Sequence, residues 1–327
     1  MTLRAGILGA GFMGKTHAGS LNAVDEVDVA AVCDVRMDSA RALEESTAPG
    51  AAVYNSFDRM IAEARLDILY VCLPPFAHAE EVEKAAEKGI HLFLEKPIAI
   101  DSEKARTMVR AVEAAGIKSQ VGFHMRFRES VQALKRMIDS GEAGRPALFT
   151  GRYWANMDGS PWWRDKSKSG GQVFEQVIHI YDLATHLFGE VTSCNGMIDN
   201  LCHHARDDYT IEDTSVGCLR FANGAMAVIT GSNCAVPMHF FGDFRAALEN
   251  MTLEYTCTGQ TWVEPDHAAL YKGDENKQEF IEDGNPYLLE TLDFIRAIRE
   301  DRPTRTPARD GLAAIEIVES AMKNGMT

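Results

Sequence analysis

The stretch "RAGILGAGFMGKTHAGSL", residues 4–21, decides how the first third of the chain is read. A short apolar run ending at Leu8 is followed at once by Gly9, Gly11 and Gly14 in the spacing G-x-G-x-x-G, and then by a helical pattern from about Phe12 to Ala23. Each glycine has its own physical reason. Gly9 permits a tight turn, Gly11 lets backbone approach a pyrophosphate, and Gly14 allows the helix to pack close on its strand. The helix N-terminus offers unpaired N–H groups and a positive dipole end to phosphates. Phe12 and Met13 complete the loop. Asp34 lies twenty residues past Gly14, at the end of the apolar run "VDVAAVCD". A carboxylate there bonds both ribose hydroxyls and repels a 2′-phosphate, which favours NAD. Arg36 could bridge such a phosphate and keeps NADP open. A flavin fits less well. The plainer alternative, a tight turn in a structural βαβ unit beside a surface aspartate, accounts for fewer of these positions at once.

Working outward, "AVYN", "DILYVCLP", "IHLFLE" and "KSQVGF" read as further strands separated by helical stretches. One of these helices opens on Asp101 and Ser102 as cap candidates and closes on Gly116. Such alternation predicts a doubly wound parallel sheet over residues 1–122. Residues 123–327 have another texture. A helix near Glu129 to Ser140 leads to the strand candidate "GRPALFTGRYWANM", then to a helix beginning near Gly170. Strand candidates follow: "VTSCNGMI", "TSVGCLRFANGAMAVITGSNC", "DFRAALENMTLEYTC" and "QTWVEPD". Asn223-Gly224 between two apolar runs is a hairpin signal. The prediction is an α+β domain with a large, open-faced, mostly antiparallel sheet. Two amphipathic helices, about Pro286 to Glu300 and Ala308 to Lys323, finish the chain and are free to pack back on the first domain.

The 327 residues suffice for two domains with cores of their own. A net charge of −15, with no basic run, argues against a nucleic-acid partner. The seven cysteines include no CxxC pair, which suggests reduced thiols in a cytoplasmic protein. The first apolar stretch is too short and glycine-rich for a membrane span and lacks the order of a signal peptide.

Two places carry candidate chemistry. "FLEKPIAID", residues 93–101, ends the fifth strand, and ligands gather beyond the carboxyl ends of strands in such sheets. Lys96 can therefore donate to a substrate oxygen, with Glu95 before it and Pro97 fixing the chain after it; a surface lysine explains the spacing equally well. "GGQVFEQVIHIYDL", residues 170–183, sets Glu175, His179 and Asp182 four and then three apart, on one face of an otherwise apolar helix. A solvated stripe is the usual meaning of such a pattern. Here the stripe is narrow and flanked by bulky apolar residues, so a cleft fits better, and a histidine beside a carboxylate suits removal of a hydroxyl proton.

Together "GILGAGFMGKTHAGSL", "VCLPPFAHAEEVEKAAEKGIHLFLEKPIA" and "SGGQVFEQVIHIYDLATHLFGEV" resemble the Gfo/Idh/MocA family of oxidoreductases. The resemblance implies a Rossmann domain, a nicotinamide cofactor, a sugar or cyclitol substrate, and dimers or tetramers formed through the second sheet. It places Lys96 on the family's E-K-P lysine, which contacts the reacting hydroxyl and nicotinamide, and His179 on its helical general base. Glu175 stands where the family more often has aspartate. Asp182 matches an acidic position that orients neighbours. Leu73, Pro74 and His78, in "LPPFAH", fall on a motif near the cofactor, although His78 could equally start a helix.

Trp162 and Trp163, in "SPWWRDKSKSGG", could wall a sugar site, although paired tryptophans more often pack, and Arg164 or Lys166 could meet a polar or anionic substrate. Arg126, just past the last strand of the first domain, could line the cleft. "CHHARDD", residues 202–208, has metal-ligand residue types but no repeated spacing, so a polar loop and no metal are expected. The expected activity is NAD(P)-dependent hydride transfer at a secondary carbinol. Two alternatives remain open: an NAD-dependent lyase or glycosidase that recycles its cofactor by transient oxidation, and a non-catalytic cofactor-binding sensor.

Overall fold

The computed structural model describes residues 2–157, 159–235, 240–257, 265–272 and 276–323. The chain divides into two compact units, Met1–His124 with Asn285–Leu312 and Met125–Gly284 with Ala313–Thr327.

The first unit is built on β1 (Leu3–Leu8), β2 (Val27–Cys33), β3 (Ala52–Tyr54), β4 (Ile68–Val71), β5 (His91–Leu94) and β6 (Ser119–Val121). They form one all-parallel sheet in the order β3-β2-β1-β4-β5-β6. Ala5 to Leu8 and all of β4 are buried, as expected of strands covered on both faces. Between the strands lie α1 (Phe12–Asn22), α2 (Met37–Thr47), α3 (Phe57–Glu63), α4 (Glu81–Glu87) and α5 (Ser102–Ala115). Asp101 caps α5 by accepting the Lys104 N–H, and left-handed Gly116 ends it. The later helix α10 (Pro286–Arg299) returns to this unit, burying Phe294 and Ile295 in the same core as Ile7, Leu21, Tyr70 and Phe93. A strap behind it carries Thr306, whose hydroxyl donates to the Val121 carbonyl at 2.8 Å.

The second unit contains α6 (Glu129–Asp139), β7 (Pro146–Ala155), the short helices α7 (Pro161–Arg164) and α8 (Lys166–Ser169), a π-helical turn over Val173–Val177, and α9 (Ile178–Phe188). Then come β8 (Val191–Asp199), β9 (Thr214–Phe221), β10 (Met226–Ser232), β11 (Phe240–Phe241), β12 (Phe244–Leu248), β13 (Thr252–Thr256), β14 (Asp266–Lys272), β15 (Asn276–Glu282) and, from Ala313 on, α11 (Ala308–Lys323). The sheet order is β15-β14-β13-β12-β7-β10-β9-β8, with β11 on β7, and every pairing is antiparallel except β10 with β7. Asn223-Gly224 makes the expected hairpin between β9 and β10. β9 alternates strictly: Ser215, Gly217, Leu219 and Phe221 are buried, while Val216, Cys218 and Arg220 face out. Gly217 lets α9 sit close, since a Cβ there would meet the Tyr181 hydroxyl at 2.0 Å. The opposite face exposes Leu148, Met197, Val216, Met226 and Val228.

The helix beginning near Gly170 is not one continuous α-helix: α8, the π turn and α9 follow one another, with Glu175 inside the π turn. Five residues of "QTWVEPD", 260–264, lie outside the described residues. No helix among the described residues is long and apolar enough to cross a membrane.

Candidate functional site

In the first unit, Gly9 turns the chain after β1 with φ of +97°, a conformation open to glycine, and a Cβ there would meet the Cys72 carbonyl at 2.4 Å. A Cβ on Gly14 would lie 2.0 Å from the Gly9 carbonyl oxygen. At Gly11 a Cβ would meet nothing within 4 Å, so the backbone there faces open space. No side chain caps α1, and no acid occupies its first turn. This cradle suits a pyrophosphate, whose charge the helix N-terminus complements. Asp34 closes the turn: Oδ2 accepts the Ala10 N–H and Oδ1 the Arg36 N–H, both at 2.9 Å. The Arg36 side chain is exposed.

Phe12 is exposed, while Met13, Leu73 and Pro74 are half-buried. His78 begins no long helix. Its Nδ1 lies 2.5 Å from Glu81 Oε1, and the other Glu81 oxygen accepts the Ala79 N–H at 2.7 Å. Burial alone would raise the Glu81 carboxyl, but the bonds from His78 and Ala79 outweigh it and hold it below its usual range.

At the carboxyl end of β5, Glu95 Oε2 accepts the Lys96 N–H at 3.1 Å, and its Oε1 lies 2.6 Å from His17 Nε2. Lys96 is half-buried, and its bond to Pro97 is cis. His17 was missed as a site residue although it sits in the quoted glycine stretch. It is fully buried, with rings of Tyr70, Phe93 and Tyr287 around it. Glu290 of α10, also missed, joins His17 and Glu95 in one buried cluster, with ligand-capable atoms within 4.8 Å of one another. Neither Glu290 carboxyl oxygen has a hydrogen-bond partner among the described residues.

Burial, and then the Glu95 charge, push the Glu290 carboxyl well above its ordinary value of 4.5. The folded chain thus keeps a proton that the unfolded chain releases. The stability this group contributes is complete below the unfolded value and is lost as pH rises through the folded one. Glu290→Gln should therefore gain stability relative to wild type as pH rises from 5 to 8, by up to about 1.4 kcal/mol per pH unit. Urea titrations of both proteins across that range check it; parallel curves would mean Glu290 is ionised in the fold.

In the second unit, His179 lies in the first turn of α9, is 5 % exposed, and lies nearly parallel to the Tyr153 ring, with centroids 6.3 Å apart. Glu175 and Gln176 of the π turn are also buried. Tyr153, on β7, is a neighbour the sequence reading missed. Asp182 accepts from Arg126 with both oxygens, the Nε bond being 2.8 Å, and both side chains are buried. The Arg126 guanidinium fork anchors the helix that carries His179, because a buried carboxylate needs a paired cation. Arg126→Leu should cost about 3–5 kcal/mol, as the charge of Asp182 is then left unpaired. Arg126→Leu/Asp182→Leu should recover a large part of that loss in chemical denaturation, since an apolar pair leaves no buried charge.

Trp163 is 7 % exposed and packs with Tyr209 and Ile211, with Trp162 against that cluster. Arg164 donates to the Gly159 carbonyl at 2.7 Å and pairs with Asp208 at 2.9 Å. Lys166 pairs with Glu212 at 3.4 Å. These residues pin the loop between β8 and β9, a long-range arrangement that no local pattern displays.

Residues 3–123 match an oxidoreductase family described by its NAD-binding Rossmann fold, and residues 131–254 match the GFO/IDH/MocA C-terminal domain. The inositol 2-dehydrogenase of Rhizobium meliloti (strain 1021) is 29% identical over 335 residues, spanning 99% of this chain and 97% of that one. The 2,7-anhydro-N-acetylneuraminate hydratase of Escherichia coli (strain K12) is 30% identical over 240 residues, 72% of this chain and 63% of that one. Among solved structures, a levoglucosan dehydrogenase in complex with NADH and levoglucosan aligns with a TM-score of 0.89 at 21% identity, covering 99% and 97% of the two chains. That likeness speaks for the fold.

Proposed function

Because the chain belongs to the Gfo/Idh/MocA family of NAD-binding oxidoreductases, we propose that it oxidises a secondary carbinol of a cyclitol or sugar. Its cofactor is NAD. The observation that carries this reading is His179, a titratable ring 5 % exposed on an apolar helix in a chain that binds a nicotinamide. NAD, when bound, supplies the hydride acceptor.

The remaining work falls to the chain's own residues. Gly9, Gly11 and Gly14, with the uncapped α1, hold the pyrophosphate, and Asp34 takes the ribose hydroxyls. Lys96 donates to the reacting oxygen and stabilises its developing negative charge. His179 removes the hydroxyl proton, and Glu175, one methylene longer than aspartate, assists that transfer. Arg126 and Asp182 act through His179 by holding its helix. The full-length similarity to an inositol 2-dehydrogenase supports a cyclitol as the substrate class. The apolar face at Leu148, Met197, Val216, Met226 and Val228 suits a second copy of the chain.

Nicotinamide absorbance tests the reading, with NAD+ and NADP+ against inositols, aldoses and sugar acids. A rise with NAD+ on a cyclitol or sugar supports it; no reduction with any member of these classes counts against it. The similarity to a hydratase, an activity without net redox change, favours one second reading. In it the cofactor is recycled, and a substrate is converted with no net absorbance change but with a requirement for NAD.

A further inference from the structure

The loop from Asn200 to Glu212 joins β8 to β9 and contains "CHHARDD". Asp213 organises it. Its Oδ1 accepts the Leu201 N–H and the Thr214 hydroxyl, both at 3.0 Å. Its Oδ2 accepts the Cys202 N–H at 2.8 Å and the His203 N–H at 3.0 Å, and lies 2.9 Å from His203 Nδ1. Its backbone carbonyl accepts the Asn233 N–H at 2.8 Å, just past the end of β10. One residue thus grips Cys202 directly and Cys234 through its neighbour. The two sulfurs and an Asp213 oxygen end within 4.8 Å of one another.

Two chemistries suit such a cluster, a soft divalent metal and a dithiol. The carboxylate decides between them. An ionised carboxylate has roughly four lone-pair sites, and the five contacts just described use them. That leaves two sulfurs, whereas structural zinc sites take four protein ligands. The thiols remain. A disulfide needs sulfurs about 2.05 Å apart, and rotating Cys202 between staggered χ1 wells moves its sulfur by roughly 3 Å. Cys202 is exposed and Cys234 half-buried, whereas Cys33, Cys194 and Cys257 are buried.

We propose that Cys202 and Cys234 form an oxidisable pair that closes to a disulfide when a small disulfide such as oxidised glutathione accepts two electrons, clamping the loop to the end of β10. The deprotonated Cys202 sulfur attacks one sulfur of the oxidant, whose S–S bond breaks and releases one reduced thiol. Deprotonated Cys234 then attacks Cys202 in the mixed disulfide and releases the second. Two protein thiols are oxidised, one small disulfide is reduced to two thiols, and these carry off both protons. The neighbouring Cys234 thiol first, and the Asp213 charge among the further causes, push the Cys202 thiol up, so closure is slow in neutral buffer. The clamp has reach: Glu212 of the same loop accepts the Val173 N–H at 2.8 Å, at the start of the π turn that carries Glu175.

The test is to incubate the full chain with oxidised glutathione or with dithiothreitol, alkylate free thiols, and map peptides by mass. The expected result is a Cys202–Cys234 cross-link that reduction removes. The oxidised protein should also melt higher by on the order of 5 °C. Cys202→Ser and Cys234→Ser should each abolish both effects. The proposal is overturned if Cys202 stays glutathionylated while Cys234 remains alkylatable, or if Cys202 links to Cys218. It is equally overturned if the reduced protein holds one equivalent of zinc that either serine variant loses.

Discussion

Lys96→Met lowers kcat by about 10³-fold, within the range of a lost acid–base or polarising group, while NAD affinity stays within about twofold of wild type. Lys96 stands at the carboxyl end of β5, where open α/β sheets collect their ligands. Its backbone N–H is fixed by Glu95, which is itself bonded to the buried His17. Methionine keeps much of the length and the apolar stem but cannot donate a hydrogen bond or carry charge. The lost term is therefore stabilisation of the reacting oxygen, made in the transition state rather than in cofactor binding. Steady-state kinetics and an NAD titration by fluorescence separate the two. A kcat within twofold of wild type would reduce Lys96 to a surface lysine at a strand end.

His179→Asn lowers kcat by about 10²- to 10⁴-fold and removes a limb of the pH–rate profile. Asparagine preserves polarity at a buried position beside Tyr153 but cannot accept and release a proton near neutrality. Combining the two changes is more informative than either alone. If Lys96 and His179 serve one step, the double variant is about as slow as the slower single variant, because residues acting as a unit are not additive. Multiplying effects would assign them to separate steps. Retention of the pH limb in His179→Asn would move the general base elsewhere.

Much of the first unit was legible because its signals are local. The glycine spacing, the covered strands and Asp34 each state a backbone or hydrogen-bonding requirement within a few residues. Asn223-Gly224 and the alternation of β9 announced the hairpin in the same way. The π turn was not legible, since four-residue spacing from Glu175 to His179 reads as α-helical whichever hydrogen-bond pattern the backbone adopts. The strands β14 and β15 were missed for another reason. β15 is exposed at five of its seven positions, so "NKQEFIE" shows little apolar period. Arg126 and Asp182 are 56 residues apart in sequence, and Gln120 donates to the Glu290 carbonyl across 170 residues. Pairing at that range follows from the fold. The tryptophans show the limit of composition: Trp162 and Trp163 suit a packed loop more often than a sugar wall, but only the placement of Tyr209 and Ile211 beside them shows the packing.

The most direct test of the account follows the hydrogen itself. The chain is incubated with NAD+ and inositol deuterated at its carbinol carbons, or with the sugar that the absorbance panel selects, and the reduced nicotinamide is analysed by mass. The account predicts one deuterium on the nicotinamide ring for each carbonyl formed, with no loss to solvent. Product forming while the nicotinamide stays free of deuterium would contradict it.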